Sequence, residues 1–510
     1  MMTQPTAFNL YDYFFSEERL EAIASHPAIA FGGQSLTYRS LKEEVNNWIA
    51  KLSAAINSGE RVALLLYDSP EFVAAFFATL ALGAIVVPIN TFSSNDDIDF
   101  ILADSQAKVL VGEASLLEER QVHQRHQVCT IVEIDRKATS AVYGAKSGKT
   151  FASNPTTTAA SPAFILYTSG STGTPKGVLH LHGNVVATIA GFGKQVLKLA
   201  AKDKVFSSSR LFFAYGLGNS LSFPLAAAAS VILEADRPTP PRLAAIFREQ
   251  QPTVFYGVPA IYRALLDFHQ SGGHLNTASL RLCISAGEAL PATIFEEWQQ
   301  VFGMEILDGI GSTEMLHMFM SNREGEARAG SSGKVVDGYE ARILNDDGTP
   351  TDAGEQGNLW VKGASAMRGY WGRDDLTAKV LQDGWMRTGD VYRQGEDGYF
   401  YHIGRSDDCF KVKGLWVSPI EVESALLAHP QVAEAAVVVS TDAHGLATAK
   451  AFLVIRTERV SDSFTEELLE FVRQRIAPYK APTQFEVIAE MPRTSTGKIQ
   501  RYKLRQGNDK

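Results

Sequence analysis

Residues 164–180 read FILYTSGSTGTPKGVLH, from Phe164 to His180. A short apolar run enters a loop dense in glycine and hydroxyl groups. The loop carries one lysine, and the chain then turns apolar again. Glycines let a backbone approach a ligand closely, hydroxyls add hydrogen-bond donors, and such a loop after a strand is the usual holder of phosphate. Gly170 and Lys176 have the separation of a Walker A loop, but Pro175 stands where its second glycine belongs and Gly177 follows the lysine. Proline removes a backbone N–H that would be aimed at phosphate, and Gly177 lacks the hydroxyl that would hold magnesium. A plain solvated turn would account for the composition, but not for the ordered run of ten residues. Thr168, Ser169, Gly170, Ser171, Thr172, Gly173, Thr174 and Lys176 are therefore read as a loop of another kind, wrapping the β- and γ-phosphates of ATP.

Outward from the loop, apolar strand-like runs alternate with helical stretches: RVALLLY (61–67), AKVLVG (107–112), SVILEA (230–235), PTVFYGVP (252–259) and LRLCISAGE (280–288). Alternation at this spacing predicts an α/β fold with largely parallel sheets. Phe72–Ile89 holds 18 residues without a charge, close to the ~20 of a membrane span. Gly83 reads as a helix stop and AIVVP as a short core strand, so a buried helix followed by a strand is expected there. Residues 137–162, rich in Ser, Thr, Ala and Gly, read as a surface connection. Beyond about 330 the texture is β-rich, with NDDG (345–348), LQDGW (381–385) and GEDGY (395–399) resembling hairpin turns. Gly404-Arg-Ser-Asp-Asp408 reads as a connector. The expected domains are 1–404, large, with parallel-rich sheets flanked by helices plus a β-rich subdomain; 405–408, a hinge; and 409–510, a small mobile α+β domain.

The chain of 510 residues is 45% hydrophobic and carries a net charge of −9, which argues against nucleic acid or an anionic membrane as partner. Cys129, Cys283 and Cys409 are far apart, which suggests neither a disulfide framework nor a zinc site. The N-terminus lacks a basic region before an apolar run, so no signal peptide is expected; the expected location is the cytoplasm. The last forty residues hold nine Lys or Arg against three Asp or Glu, positive charge suited to a phosphorylated ligand.

The loop Tyr167–Gly177 resembles the phosphate loop of the adenylate-forming superfamily, which includes acyl-CoA synthetases, peptide-synthetase adenylation domains and beetle luciferases. Five further segments match in the expected order: GIGSTE (309–314), TGD (388–390), GRSDD (404–408), KVKG (411–414) and PRTSTGK (492–498). The resemblance implies a two-step reaction. A carboxylate attacks the α-phosphate of Mg-ATP to give acyl-AMP and pyrophosphate, and the thiol of coenzyme A then displaces AMP.

The same resemblance assigns roles. Lys498 is the catalytic lysine, supplying positive charge where two anions must meet. Glu314 holds Mg²⁺ through a hard oxygen, with Thr313 beside the α-phosphate; the bland reading is a helix-capping Ser312-Thr313-Glu314. Asp390 accepts the ribose hydroxyls, and Arg405 contacts ribose or phosphate. Gly287, Glu288, Asp308, Gly309, Ile310, Gly311 and Ser312 line the nucleotide slot, Ile310 standing where many relatives carry an aromatic residue. Asp407 is the hinge; Lys413, Gly414 and Trp416 border the pantetheine tunnel.

The stretch RLFFAYGLGNSLSFP (210–224) sits where the family builds its acyl pocket and closely resembles the benzoate–CoA ligase group. It holds no acid to pair with a substrate ammonium, which disfavours α-amino acids. Phe213, Ala214, Tyr215, Ala286, Gly309 and His317 are expected to enclose a flat aromatic carboxylic acid, although His317 reads equally well as a structural histidine. An aryl-CoA ligase, monomer or homodimer, is the leading expectation. A stand-alone enzyme loading a carrier-protein phosphopantetheine is the alternative, and a non-catalytic nucleotide-binding protein a third.

Overall fold

A computed structural model describes residues 6–125, 130–135, 151–154, 156–169, 174–412, 415–442, 446–456, 463–493 and 499–506. Gly170, Ser171, Thr172, Gly173, Lys413, Gly414 and Lys498 lie outside them, as does most of the 137–162 connection. The chain divides into two compact units, residues 1–341 with 361–386, and residues 342–360 with 387–510. Residues 405–408 fall within the second unit.

The uncharged stretch is a helix and a strand. The Ser69 hydroxyl caps helix Pro70–Ala81 by accepting from the Phe72 N–H, Pro70 occupies its first turn, and every residue of the helix is buried. Gly83 takes a φ of +73°, and strand Ile85–Pro88 follows, fully buried. Phe77 meets Phe14 and Phe15 edge-on, with ring centroids 5.3 and 5.0 Å apart. No helix among the described residues is long and apolar enough to cross a membrane.

That strand belongs to a seven-stranded sheet in the first unit. In spatial order its strands are Gly369–Tyr370, Pro175–Leu181, Pro162–Ser169, Ile85–Pro88, Arg61–Leu65, Val109–Glu113 and Thr130–Ile134. Pairing is parallel from Pro162–Ser169 onward and antiparallel at the Gly369 end. The second sheet of this unit has nine strands, with Val254–Gly257, Leu282–Ser285 and Ile306–Gly311 adjacent and parallel. It too ends antiparallel, where Ile306–Gly311 pairs with Met318–Ser321. The continuous apolar runs are the inner strands, because parallel strands covered on both faces bury every side chain. Helices Pro259–Gln270 and Ala292–Phe302 cover one face, with Tyr262 and Trp298 edge-on at 4.9 Å and both 0% exposed.

The second unit is α+β. Strands Val432–Thr441 and Ala447–Ile455 pair antiparallel and Gln484–Val487 adds in parallel. Helices Pro419–Leu427 and Phe464–Arg473 bury Val422, Leu426, Leu468 and Val472 in a core shared with Val437 and Ala451. Its other strands include the antiparallel pair that carries Asp390 and Arg405.

Candidate active site

The phosphate loop closes a hairpin. Strands Pro162–Ser169 and Pro175–Leu181 pair antiparallel, with Ser169 opposite Pro175 and Thr168 opposite Lys176. A Walker A loop runs into a helix and aims that helix's N-terminus at phosphate. Here a strand, Pro175–Leu181, follows instead of a helix. Pro175 opens the second strand as its first residue, a position where a strand tolerates proline.

Thr313 and Glu314 lie in the turn between strands Ile306–Gly311 and Met318–Ser321. No helix starts there, so the capping-box reading is replaced by a tight turn in which Ser312 Oγ accepts from the Met315 N–H at 3.1 Å. Three contacts fix this turn. The Thr313 carbonyl accepts from His180 Nε2 at 2.7 Å, the Glu314 carbonyl accepts from the Met367 N–H at 2.7 Å, and Glu314 Oε1 accepts from the Tyr370 hydroxyl at 2.8 Å. Burial pushes His180 down to about 4, so its ring is a neutral Nε2–H donor. His180 stands on the strand that leaves the phosphate loop, so one hydrogen bond ties that strand to the 312–317 turn. Residues 310–314 are partly exposed while 306–309 and 315–320 are buried; Ile310, Gly311, Ser312, Thr313 and Glu314 thus form the accessible strip of a buried hairpin.

Beside them, Gly287 and Glu288 are exposed just after strand Leu282–Ser285, with Gly287 at φ +96°. Asp308 is turned inward. The residue is 5% exposed, and its carboxyl accepts from the Leu290 N–H at 3.4 Å. Burial pushes it up to about 8, against the pull of Ser285 and the Leu290 and Gly309 N–H groups. It enters pH 7 largely protonated, as a support beneath the slot.

The acyl-pocket stretch is a helical turn, Ala214–Leu217, continued as π-helix over Gly218–Ser222, a feature that clusters at functional sites. His317 is 3% exposed, and its Nε2–H donates to Asn219 Oδ1 at 3.1 Å. Burial pushes it down to about 3, so it is neutral. Around it stand Phe223 at 4.6 Å edge-on, Phe192 at 5.1 Å and Tyr215 at 5.5 Å between centroids. His317 is at once a structural histidine and part of an uncharged aromatic cluster. Gly218 permits this, since a Cβ there would stand 2.3 Å from His317 Cδ2. Phe213 and Tyr215 are partly exposed, Ala214 and Ala286 buried, and Phe212 is core, 4% exposed.

In the second unit, Asp390 and Arg405 face each other on adjacent antiparallel strands. Arg405 Nη1 lies 3.1 Å, and His402 Nε2 3.4 Å, from Asp390 Oδ1. Burial alone would raise the Asp390 carboxyl. His402 and the Arg405 charge outweigh it and hold the group below the usual carboxylate range. Gly389, at φ +76°, leaves room for the arginine, because a Cβ would meet Arg405 Nη2 at 2.9 Å. Asp407 is exposed, next to an Asp408 that pairs with Arg501 and Arg505. Trp416 lies on strand Leu415–Val417, opposite Lys411.

Sequence reasoning missed Tyr370, Phe192, Phe223, Asn219 and His402. Phe192, Phe223 and Asn219 sit in π-helical or adjoining turns, which apolar periodicity does not register. Strand pairing alone brings Tyr370 to Glu314 and His402 to Asp390.

Residues 16–371 match the AMP-binding enzyme family, and residues 421–498 match the AMP-binding enzyme C-terminal domain. A benzoate–CoA ligase of Thauera aromatica is 38% identical, over 98% of this chain and 96% of its own. A benzoate CoA ligase from Burkholderia xenovorans LB400, known by crystal structure, is 37% identical with a TM-score of 0.87, over 98% of this chain and 100% of its own. The crystal structure of the anthranilate CoA ligase AuaEII in complex with anthranoyl-AMP has a TM-score of 0.90 at 36% identity, over 99% of this chain and 98% of its own.

Proposed function

This chain belongs to the AMP-binding, adenylate-forming enzyme family, in its benzoate–CoA ligase group, and we propose how its residues divide the work of an ATP-dependent aryl-CoA ligase. The enzyme uses ATP, Mg²⁺ and coenzyme A. It converts an aromatic carboxylic acid to an acyl-adenylate with release of pyrophosphate and passes the acyl group to the CoA thiol.

In the first step a carboxylate oxygen bonds to the α-phosphorus while the bond to the bridging oxygen of pyrophosphate breaks. Two anions must meet, so positive charge is needed where negative charge accumulates. Lys498 supplies it in our reading, and Lys176 with the loop hydroxyls holds the outer phosphates. Glu314 offers a single carboxylate on a pinned turn, a donor set that suits a Mg²⁺ also bound by phosphate oxygens. When bound, that ion neutralises charge on the triphosphate. Thr313 orients the α-phosphate, and Asp390 takes the ribose hydroxyls with Arg405 beside it. Gly287, Glu288 and the 310–312 strip border the adenine, with Asp308 and Gly309 buried beneath them. In the second step the thiol sulfur bonds to the acyl carbon and AMP leaves. Lys413, Gly414 and Trp416 line the thiol's path, and residues 405–408 act as the hinge between the two steps.

One observation carries the choice of acid: His317, held neutral by burial, joins Tyr215, Phe192 and Phe223 in a cluster without a charged side chain. Such a wall favours benzoate, or a benzoate with a small amino, hydroxy, fluoro or methyl group, over an amino acid. We place the enzyme in the cytoplasm, with its substrates ATP and CoA. Pyrophosphate release measured over a panel of aryl and aliphatic acids, with and without CoA, tests the reading. Benzoates should be preferred by at least about tenfold in kcat/KM, the factor set by 1.4 kcal/mol of binding discrimination. A preference for fatty or amino acids would overturn it.

A further inference from the structure

The geometry points to Tyr370 as the residue that sets the position of the Glu314 carboxylate relative to the phosphate loop. Its hydroxyl donates to Glu314 Oε1 at 2.8 Å. Its ring lies 5.9 Å, centroid to Nζ, from Lys176. Its backbone is fastened to the strand leaving the loop: Tyr370 pairs with Val178 and Gly369 with Leu179, and the Trp371 N–H donates to the Gly177 carbonyl at 2.7 Å. The other side is fastened too, the Tyr370 N–H donating to Thr377 Oγ1 at 2.9 Å. One side chain therefore bonds the carboxylate proposed for the metal and faces the lysine proposed for the outer phosphates. Strand pairing fixes the backbone from which the ring projects.

A carboxylate on a turn can rotate about its last torsion. A hydrogen bond to one oxygen stops that rotation and leaves the other oxygen to present to a cation. Such bonds orient metal-ligating carboxylates generally, and their loss weakens metal binding by about 10–100-fold. Tyr370 is thus a positioning residue for Mg-ATP. The inference rests on the reading that Glu314 holds the metal.

Calorimetric titration of the whole protein with ATP, in Mg²⁺ and again in EDTA, tests it without reference to turnover. Tyr370→Phe keeps the ring and removes the hydroxyl. It should leave metal-free ATP affinity unchanged and weaken Mg-ATP binding roughly tenfold, with an unaltered melting temperature. Glu314→Gln should abolish the metal's contribution, and Tyr370→Phe added to Glu314→Gln should have no further effect. If Glu314→Gln changes the metal dependence and Tyr370→Phe does not, Tyr370 has no positioning role. If Glu314→Gln leaves the metal dependence intact, the assignment of Glu314 itself falls, and Tyr370's with it. A Tyr370→Phe loss equal in Mg²⁺ and EDTA, or accompanied by a lower melting temperature, would mark the residue as structural only.

Discussion

Asp390 and Arg405 face each other across two antiparallel strands, with Nη1 3.1 Å from Oδ1 and the Asp390 side chain 10% exposed. His402 and Arg405 together hold a buried acid ionised, which suits the ribose-hydroxyl acceptor proposed for Asp390. Asp390→Ala should weaken nucleotide binding by roughly a hundredfold, the scale of two hydrogen bonds to a charged group. Because the folded carboxyl sits below its ordinary range, its contribution is present at neutral pH and fades only as pH falls through that depressed value. In Arg405→Ala burial gains weight, so the fade should begin at a higher pH. Identical pH profiles of ATP affinity in the two proteins would contradict this coupling.

Gly218→Ala tests the aromatic pocket. The added carbon would stand 2.3 Å from His317 Cδ2 and 2.9 Å from Phe223 Cε2. Overpacking of this kind costs about 1–3 kcal/mol. The strain falls on His317 and its neighbours, so the KM for benzoate should rise severalfold while the KM for ATP stays unchanged. An equal rise in both, measured by pyrophosphate release, would remove His317 from the acyl pocket.

Asp308 gives the protein a pH-dependent stability. Its carboxyl moves from 3.8 in its ordinary state to about 8 when folded, chiefly through burial. The folded protein therefore binds this proton more tightly than the unfolded chain. Its stabilising effect is complete below pH 3.8 and is lost as pH rises through about 8. Asp308→Asn should flatten that part of the melting-temperature curve and exceed the wild type in stability above it. Parallel curves would assign the slope to another group.

The elements legible in the sequence were those with local signals. Gly83 and Pro88 punctuated an apolar stretch into helix Pro70–Ala81 and strand Ile85–Pro88. Asp383-Gly384, both with positive φ, made the expected two-residue turn between Leu381–Gln382 and Trp385. The α/β class followed from alternation, and the Pro175 and Gly177 departures from Walker A matched a hairpin rather than a loop-to-helix. What stayed hidden depends on tertiary pairing. Tyr370 reaches Glu314 because its two-residue strand docks on Pro175–Leu181, and no local pattern marks that event. The Phe192, Phe223 and His317 cluster is gathered from separate segments, two of them π-helical or next to π-helix. The inward turn of Asp308 was likewise invisible, since strand alternation alone does not tell a nucleotide-facing acid from a buried one.

Asp407 is exposed and lies in the turn after Arg405. Asp407→Pro, by fixing φ, should slow transfer of the acyl group from preformed benzoyl-AMP to CoA far more than it slows formation of benzoyl-AMP, each measured in a single turnover. Equal losses in the two half-reactions would rule out residues 405–408 as the hinge.

In the proposed first step the acid's own oxygen attacks the α-phosphorus. Benzoate labelled with ¹⁸O in its carboxylate, turned over with Mg-ATP and CoA, reads this directly by mass spectrometry of the nucleotide product. One labelled oxygen should appear in AMP and none in pyrophosphate, with Lys498→Ala forming labelled AMP slower by the equivalent of roughly 2.7–4 kcal/mol. Unlabelled AMP, or ADP with labelled phosphate, would contradict the account.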